Sequence, residues 1–394
     1  MSTKDNYDIY VGGKSGIFKG VRVDKKQCIS QNIQNLISIT NNDEVTTMSW
    51  GDDEEREILI ACGVKDIRSI KVYDTDCSTF TCSFFCNIGA GKITGISRYN
   101  EAILSAVQSG EIKLWRFEEE DGFLMNAGKN LDKMRHSRIN KQIIATGGQE
   151  HALKLFDIEK QTQIFIEKNV PPDWLQLRVP IWISDIDFLP GTEEIVTTSK
   201  YGYLLHYVNI FSLQIIVGSG KGVMNLIDLR KPAKVLNTYK GSVGAITGIA
   251  CSRIEPHIVS VGLDRFLQIH HINTKELLRK VYLTSKISCM LLRSEFSFAM
   301  NKEVSEENTQ QCKNKITKNF QGKQQTMQSN SDSDSEYDML FDKMPVISNK
   351  EDRPIEKKQR KANPSRLNNE IVSDLLYFFS FLIDLQTSIN EDKL

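Results

Sequence analysis

The residues of this chain that could do chemistry are poorly spaced for it. Gly89-Ala-Gly-Lys92 and Gly218-Ser-Gly-Lys221 carry the glycines and lysine of a phosphate loop. Neither has the spacing, nor the strand before and helix after, that would aim backbone N–H groups at a phosphate. Both read as turns between strands. Cys77, Cys82 and Cys86 lie close together but form no paired CxxC and have no histidine nearby, whereas a zinc site takes four ligands at tight spacing. They read as small apolar residues along strands. The chain has no nucleophile elbow, no HExxH and no carboxylate pair within a supporting motif. An enzyme is not expected, and no catalytic, cofactor-binding or metal-ligating residue is assigned.

The bulk properties narrow the class without naming it. In 394 residues, 50 Lys+Arg balance 50 Asp+Glu, so nucleic acid or an anionic membrane is not found through net charge alone. A hydrophobic share of 40% is enough for a sizeable core. The eight cysteines, without a secretory signal ahead of them, are expected to be reduced thiols inside the cell. The longest apolar stretch, Leu375 to Leu385, is broken by Ser380 and Asp384. It is too short to span a bilayer, so no membrane partner is expected.

The elements that must position any site come from a repeat. A small or polar turn, an alternating apolar run and an aromatic followed by a polar residue recur through the chain. The clearest copy runs from Ile144 through Thr146-Gly-Gly-Gln-Glu-His151 to Phe156-Asp157. Others end at Tyr73-Asp74 and Trp115-Arg116; weaker ones end at Tyr207, at Ile227-Asp228 and at His270-His271. A degenerate copy, Tyr10 to Val23, opens the series. Period-two alternation is a strand, and the Gly/Ser/Asp turns make hairpins. The spacing is 42 residues from Tyr73 to Trp115, 41 to Phe156, and 43 from Ile227 to His270. Four short strands per roughly 40–45 residues is the period of WD-type propeller blades, and 296 residues accommodate seven. The fold expected is therefore all-β, a seven-bladed WD-type propeller over residues 1–296 with a disordered tail at 297–394; a β-sandwich is the rival.

One interval breaks the rule: Phe156 to Tyr207 is 51 residues, but Tyr207 to Ile227 is only 20. Two strands are missing between Asn209 and Ile215. The sixth blade reads as incomplete, by splicing or a faulty gene model, because bare inner edges are costly. In this frame His270-His271 stands where a blade carries Trp-Asp, a blade variation and not a metal pair. Asp264 and Glu150, six residues before the aromatic position, read as turn-stabilising acids.

The unusual ordered segment is Asn169-Val-Pro-Pro-Asp-Trp-Leu-Gln-Leu-Arg-Val-Pro-Ile-Trp182. Proline cannot join a central ladder, so this is a long loop across one face of the ring. Its Trp and Arg residues are of the types enriched in binding hot spots; the alternative is that the tryptophans plug grooves between blades. Asp173-Trp-Leu-Gln-Leu-Arg-Val-Pro-Ile-Trp182, followed by Asp185-Ile-Asp-Phe-Leu-Pro190, resembles the signature of the WD-repeat-containing protein 74 family. Gly262-Leu-Asp-Arg265 and Lys280-Val-Tyr-Leu-Thr-Ser285 resemble its last blade and exit strand, and the similarity covers most of residues 5–295. The resemblance implies a seven-bladed nuclear and nucleolar assembly factor of the large ribosomal subunit. It also implies binding to a nuclear AAA-type ATPase and to the exosome-associated RNA helicase. Between Tyr203 and Leu213 this chain departs from the pattern, which puts ring closure in question.

From about Phe298 the composition turns to Asn, Gln, Lys, Ser and Glu without periodicity, the mark of disorder. Ser329 to Asp342 is an acidic run with embedded Tyr337, Leu340 and Phe341, suited to phosphorylation and to docking in a partner groove. Lys357, Lys358, Arg360 and Lys361 form a basic cluster that reads as a nuclear-localisation signal or a nucleic-acid contact. The run Ile371 to Leu385 is apolar all round, either translated intron or a partner-dependent helix. The partner-binding residues expected are Asp173, Trp174, Arg178, Trp182, Arg265, Tyr337, Leu340 and Phe341. The function expected is a non-enzymatic scaffold, a monomer within a complex that holds pre-ribosomal protein and rRNA. Its rivals are a generic WD-repeat adaptor of a ubiquitin-ligase or signalling complex and a propeller hydrolase.

Overall fold

The computed structural model describes residues 7–298 and 378–383, apart from 25–26, 41, 66, 117–122, 170, 173–174, 190–194, 202–203, 208–213 and 229–234. Tyr337, Leu340, Phe341 and the cluster at Lys357 to Lys361 therefore lie outside the described residues, as do Asp173 and Trp174.

In chain order the strands begin β1 (Ile9–Gly13), β2 (Phe18–Val23), β3 (Cys28–Asn32), then β4 (Val45–Trp50), β5 (Glu57–Cys62), β6 (Ser69–Asp74) and β7 (Thr79–Phe85). They continue with β8 (Ile93–Tyr99), β9 (Ala102–Val107), β10 (Glu111–Trp115), β11 (Phe123–Asn126), β12 (Leu131–His136), β13 (Ile143–Gly148), β14 (His151–Asp157) and β15 (Thr162–Ile166). Next come β16 (Ile183–Phe188), β17 (Ile195–Ser199), β18 (Leu204–Tyr207), β19 (Gln214–Ser219), β20 (Met224–Asp228) and β21 (Val235–Tyr239). The series ends in β22 (Ile246–Cys251), β23 (His257–Gly262), β24 (Phe266–His271), β25 (Leu277–Tyr282), β26 (Ile287–Leu292) and β27 (Phe378–Ile383).

These strands form seven antiparallel sheets, which are the blades of a propeller. Numbered as the repeats fall in the chain, the first blade is β26-β1-β2-β3, so the last strand of the repeats pairs with the first, Ile9 opposite Leu292. The second, third and fourth blades are β4–β7, β8–β11 and β12–β15, and the seventh is β22–β25. The inner strands follow one another in a closed circuit: β4, β8, β12, β16, β27, β22, β26 and back to β4.

Two blades depart from the sequence expectation. The fifth, β16-β17-β18, has three strands among the described residues, and the sixth has four, in the order β27-β19-β20-β21. The sixth repeat is incomplete, as expected: it supplies β19, β20 and β21, and the inner place of its blade is taken by β27 from the far end of the chain. The apolar run at 371–385 contains a strand, not a helix, because an unpaired sheet edge offers its backbone the hydrogen bonds that an isolated segment lacks.

Burial explains the strand composition. The second strand of a blade is packed by neighbouring blades on both faces, so it is buried along its whole length, as in β9, β17 and β23. A continuous apolar run results where a strand with one wet face would alternate. Outer strands such as β15 are exposed throughout. Apolar clusters join the blades in pairs: Tyr99, Leu104 and Ile112 meet Leu131, Met134 and Phe156 between the third and fourth. Ile216 and Tyr239 meet Ile249 and Ile258 between the sixth and seventh.

A repeated device shapes the inner strands. Each of six inner strands shifts register by one residue beside its neighbour, a β-bulge. The extra residues are Thr46, Thr94, Asp132, Ser184, Thr247 and Ser288. Five are hydroxyl residues, and each hydroxyl donates to a backbone carbonyl beside the bulge: Thr46 to Ala61, Thr94 to Ala106, Ser184 to Thr198, Thr247 to Val261 and Ser288 to Gly12. A short polar side chain thereby offsets the ladder bond lost at the bulge. Asp132 is the exception.

Candidate interaction site

Asp132 holds the cross-ring loop. The Trp182 indole Nε1 donates to its Oδ2 at 3.1 Å, and Lys92 Nζ lies 3.6 Å from Oδ1. Lys200 sits over the Trp182 ring, 3.6 Å from its centroid, and Tyr201 meets the ring edge-on. The backbone joins in: Glu150 N–H donates to the Ile181 carbonyl, and Lys200 N–H to that of Trp182. Trp182 is therefore an anchor that ties the end of the loop to the fourth and fifth blades.

Between that anchor and Asn169 most of the described residues are exposed. Pro171, Pro172, Leu175, Gln176, Leu177, Arg178 and Pro180 are all exposed. Asn169 Nδ2 donates to the Val179 carbonyl at 2.9 Å, closing the base of the loop. Arg178 Nη2 pairs with Glu150 Oε2 at 2.9 Å while its side chain remains 65% exposed. Such a pair contributes roughly 0–1 kcal/mol, so Arg178 is weakly committed to the fold. Leu175 and Leu177, 54% and 60% exposed, flank it. Sequence reasoning fixed on Arg178 and did not single out these leucines, although Leu-x-Leu in a proline-bounded loop has no buried sheet face to occupy.

Behind the anchor, the inner strands β12 and β16 carry a charged cluster the sequence did not reveal. Arg135 Nη2 lies 3.3 Å from Asp185 Oδ1, its Nε donates to the Ile186 carbonyl at 3.1 Å, and Lys133 Nζ is 3.9 Å from the same carboxylate oxygen. Asp185 is fully buried, and its carboxyl lies against both cations. Burial pushes the Asp187 carboxyl up to about 6; the Arg135 charge opposes this and Asp185 reinforces it. Burial also lowers Lys133.

The remaining candidates fall into structural places. Asp264 accepts from the Phe266 N–H through Oδ1 at 3.2 Å and from the Val243 N–H through Oδ2 at 3.3 Å, the turn role expected of it. Glu150 holds Arg178 instead of turn backbone. Arg265 occupies a left-handed turn position, φ 68°, with Nη1 3.5 Å from Tyr282 Oη. Asp74 Oδ1 accepts the N–H groups of Asp76 and Cys77, and Asp157 Oδ1 those of Glu159 and Lys160. At the matching position His271 Nδ1 accepts from Asn273 and Thr274, both at 3.2 Å. The histidine does the work of the aspartate. Gly89 and Gly91 offer carbonyls to the Arg68 guanidinium. Gly218-Ser219 closes the hairpin of β19 and β20. Cys77, Cys82 and Cys86 are free thiols, and among the described residues no group of three or more His, Cys, Asp or Glu converges on a metal position.

Seven sheets in a circuit, with an aromatic or its substitute closing the third strand of each repeat, define the chain as a WD-type β-propeller protein. A solved structure of a computationally designed protein, Ika8, shares the fold: TM-score 0.51 at 15% identity over 73% of this chain and 88% of that one. No family model matches the sequence. The human WD repeat-containing protein 74 is 31% identical over 319 residues, covering 72% of this chain and 80% of that relative, and the mouse protein is 30% identical over the same shares. The chain belongs to the WD repeat-containing protein 74 family. A further relative is the "Ribosome biogenesis protein NSA1" of Meyerozyma guilliermondii, 25% identical over 48% of this chain and 64% of its own.

Proposed function

We propose that this chain is a non-enzymatic scaffold of ribosome biogenesis, acting in nuclear maturation of the large ribosomal subunit. The observation that carries the reading is kinship: its relatives include proteins named for ribosome biogenesis, and the match to the human relative spans most of both chains. The surface agrees with a holding role. A rigid ring presents an open loop whose Leu175, Leu177 and Arg178 are accessible and whose end is pinned by Trp182. Apolar side chains beside a guanidinium suit a mixed protein and rRNA surface.

On this reading the tail brings the release and processing machinery, an AAA-type ATPase and an exosome-associated helicase, to the particle. The acidic segment around Tyr337, Leu340 and Phe341 docks partners, and the basic cluster Lys357, Lys358, Arg360 and Lys361 directs nuclear and nucleolar import. Affinity purification of the tagged chain should recover large-subunit pre-rRNA together with those two enzymes; a cullin complex without pre-rRNA would sink the reading in favour of a ligase adaptor. Deleting residues 353–366 should leave the protein in the cytoplasm while partner binding in extract persists. A protein still nuclear after that deletion would assign the cluster to RNA contact instead.

A further inference from the structure

In five of the seven blades the inner strand comes from the chain just ahead of its neighbour, and in the first blade β26 supplies it. The sixth blade has no such source. From the end of β6 to the start of β9 the chain has 27 residues, and from β10 to β13 another 27, enough for an outer strand, a crossing and an inner strand. From Tyr207 to Gln214 it has six. Six residues reach about 20 Å at full extension, too little for an outer strand, a crossing and an inner strand. Yet Ile215, Ile216 and Val217 are as buried as their counterparts in the complete blades, and the circuit of inner strands passes from β16 to β22 through β27.

We propose that the inner edge of β19 is a strand-acceptor site, and that its occupant is the chain's own C-terminal hexapeptide Phe378-Phe-Ser-Phe-Leu-Ile383, which closes the ring by strand complementation. The pairing runs antiparallel from Gln214 opposite Ile383 to Ser219 opposite Phe378, without a break. That continuity sets β27 apart. The other six inner strands carry the hydroxyl or Asp132 bulge, and β27 carries none. It therefore belongs to no repeat and enters the blade from outside the repeat series. The ligand class is an extended, apolar, proline-free segment: the backbone ladder supplies affinity, and alternate side chains supply selectivity. Residues 299–377 separate the strand from the ring in sequence, so its seating is an intramolecular association.

The full-length protein provides the test. Ser380 lies opposite Val217, and directly opposed antiparallel residues have Cα separations within disulfide range. The Val217→Cys/Ser380→Cys variant should form that bond within one chain on mild oxidation, identified by peptide mapping against the native thiols. Failure to form it, or a disulfide-linked dimer, overturns occupancy by the chain's own segment. Phe381→Pro should unseat the strand, since proline cannot donate to the ladder. Amide exchange at 214–219 should then rise at least tenfold while β9 stays protected, and a synthetic peptide of residues 376–385 in excess should restore the protection where a scrambled peptide does not. Unchanged exchange at 214–219 in Phe381→Pro would overturn the proposal. If that variant does not fold, the cysteine pair still decides.

Discussion

Asp187→Asn should stabilise the ring at pH 7.5 and progressively less as the pH is lowered. Asp187 lies on β16 beside Asp185 and Arg135, with Arg138 also acting on it. Its Oδ1 accepts the Phe188 N–H at 3.0 Å, and burial lifts its carboxyl from 3.8 to about 6. A carboxyl whose folded pKa is raised is favoured by folding only when protonated. Its contribution is fully present below about pH 4 and is lost as the pH rises through 6. The difference between the two values, at about 1.4 kcal/mol per pH unit, bounds the loss at about 3 kcal/mol. Half-burial of the residue places the expected figure nearer 1–2 kcal/mol. Asparagine is a neutral shape mimic of the protonated acid and carries no such penalty. In urea titrations the variant should exceed the native protein by about 1–2 kcal/mol at pH 7.5, by about half of that at pH 5, and by nothing measurable at pH 4. In thermal melts the gain at pH 7.5 is about 2–6 °C for a domain of this size. A difference independent of pH, or an asparagine variant less stable at pH 7.5, would refute the argument: Asp187 would then be ionised in the folded ring and held by Arg135.

Three further outcomes are expected. Arg178→Glu should shift stability by less than about 0.5 kcal/mol, since the Glu150 pair is exposed. It should nevertheless reduce recovery of pre-rRNA; a large loss in melting temperature with recovery intact would make Arg178 structural. Trp182→Ala should cost about 2–4 kcal/mol through lost packing against Lys200 and Tyr201 and the loss of the indole donor to Asp132 Oδ2. An unchanged urea midpoint would contradict the anchoring role. His271→Ala should destabilise by about 1 kcal/mol by freeing two backbone N–H groups, and His271→Asp should recover most of that. If aspartate behaves like alanine in the same denaturation series, the histidine is not an aspartate substitute.

The amino-acid sequence determined the repeat. A strand period of two and a blade period near 42 are local properties, written in which residues are apolar and where the turns fall. So were the turn acid at Asp264 and the variation at His270-His271, because each acts on backbone within a few positions or in the facing turn. Tertiary structure decided what joins distant segments. The charge cluster draws Lys133 and Arg135 from one blade and Asp185 and Asp187 from the next, some fifty residues on, and no spacing rule reaches that far. The bond from the Trp182 indole to Asp132, at the one inner-strand bulge without a hydroxyl, joins residues fifty positions apart and is visible only in the fold. Ring closure was the least legible of all. A sheet edge accepts any extended backbone of suitable shape, so nothing in the pattern of Phe378–Ile383 says that it pairs with β19. The vacancy was visible as a short interval at 207–227 and the strand as an unexplained apolar run. Only the three-dimensional circuit of inner strands, whose edges must each find hydrogen-bond partners, made one the answer to the other.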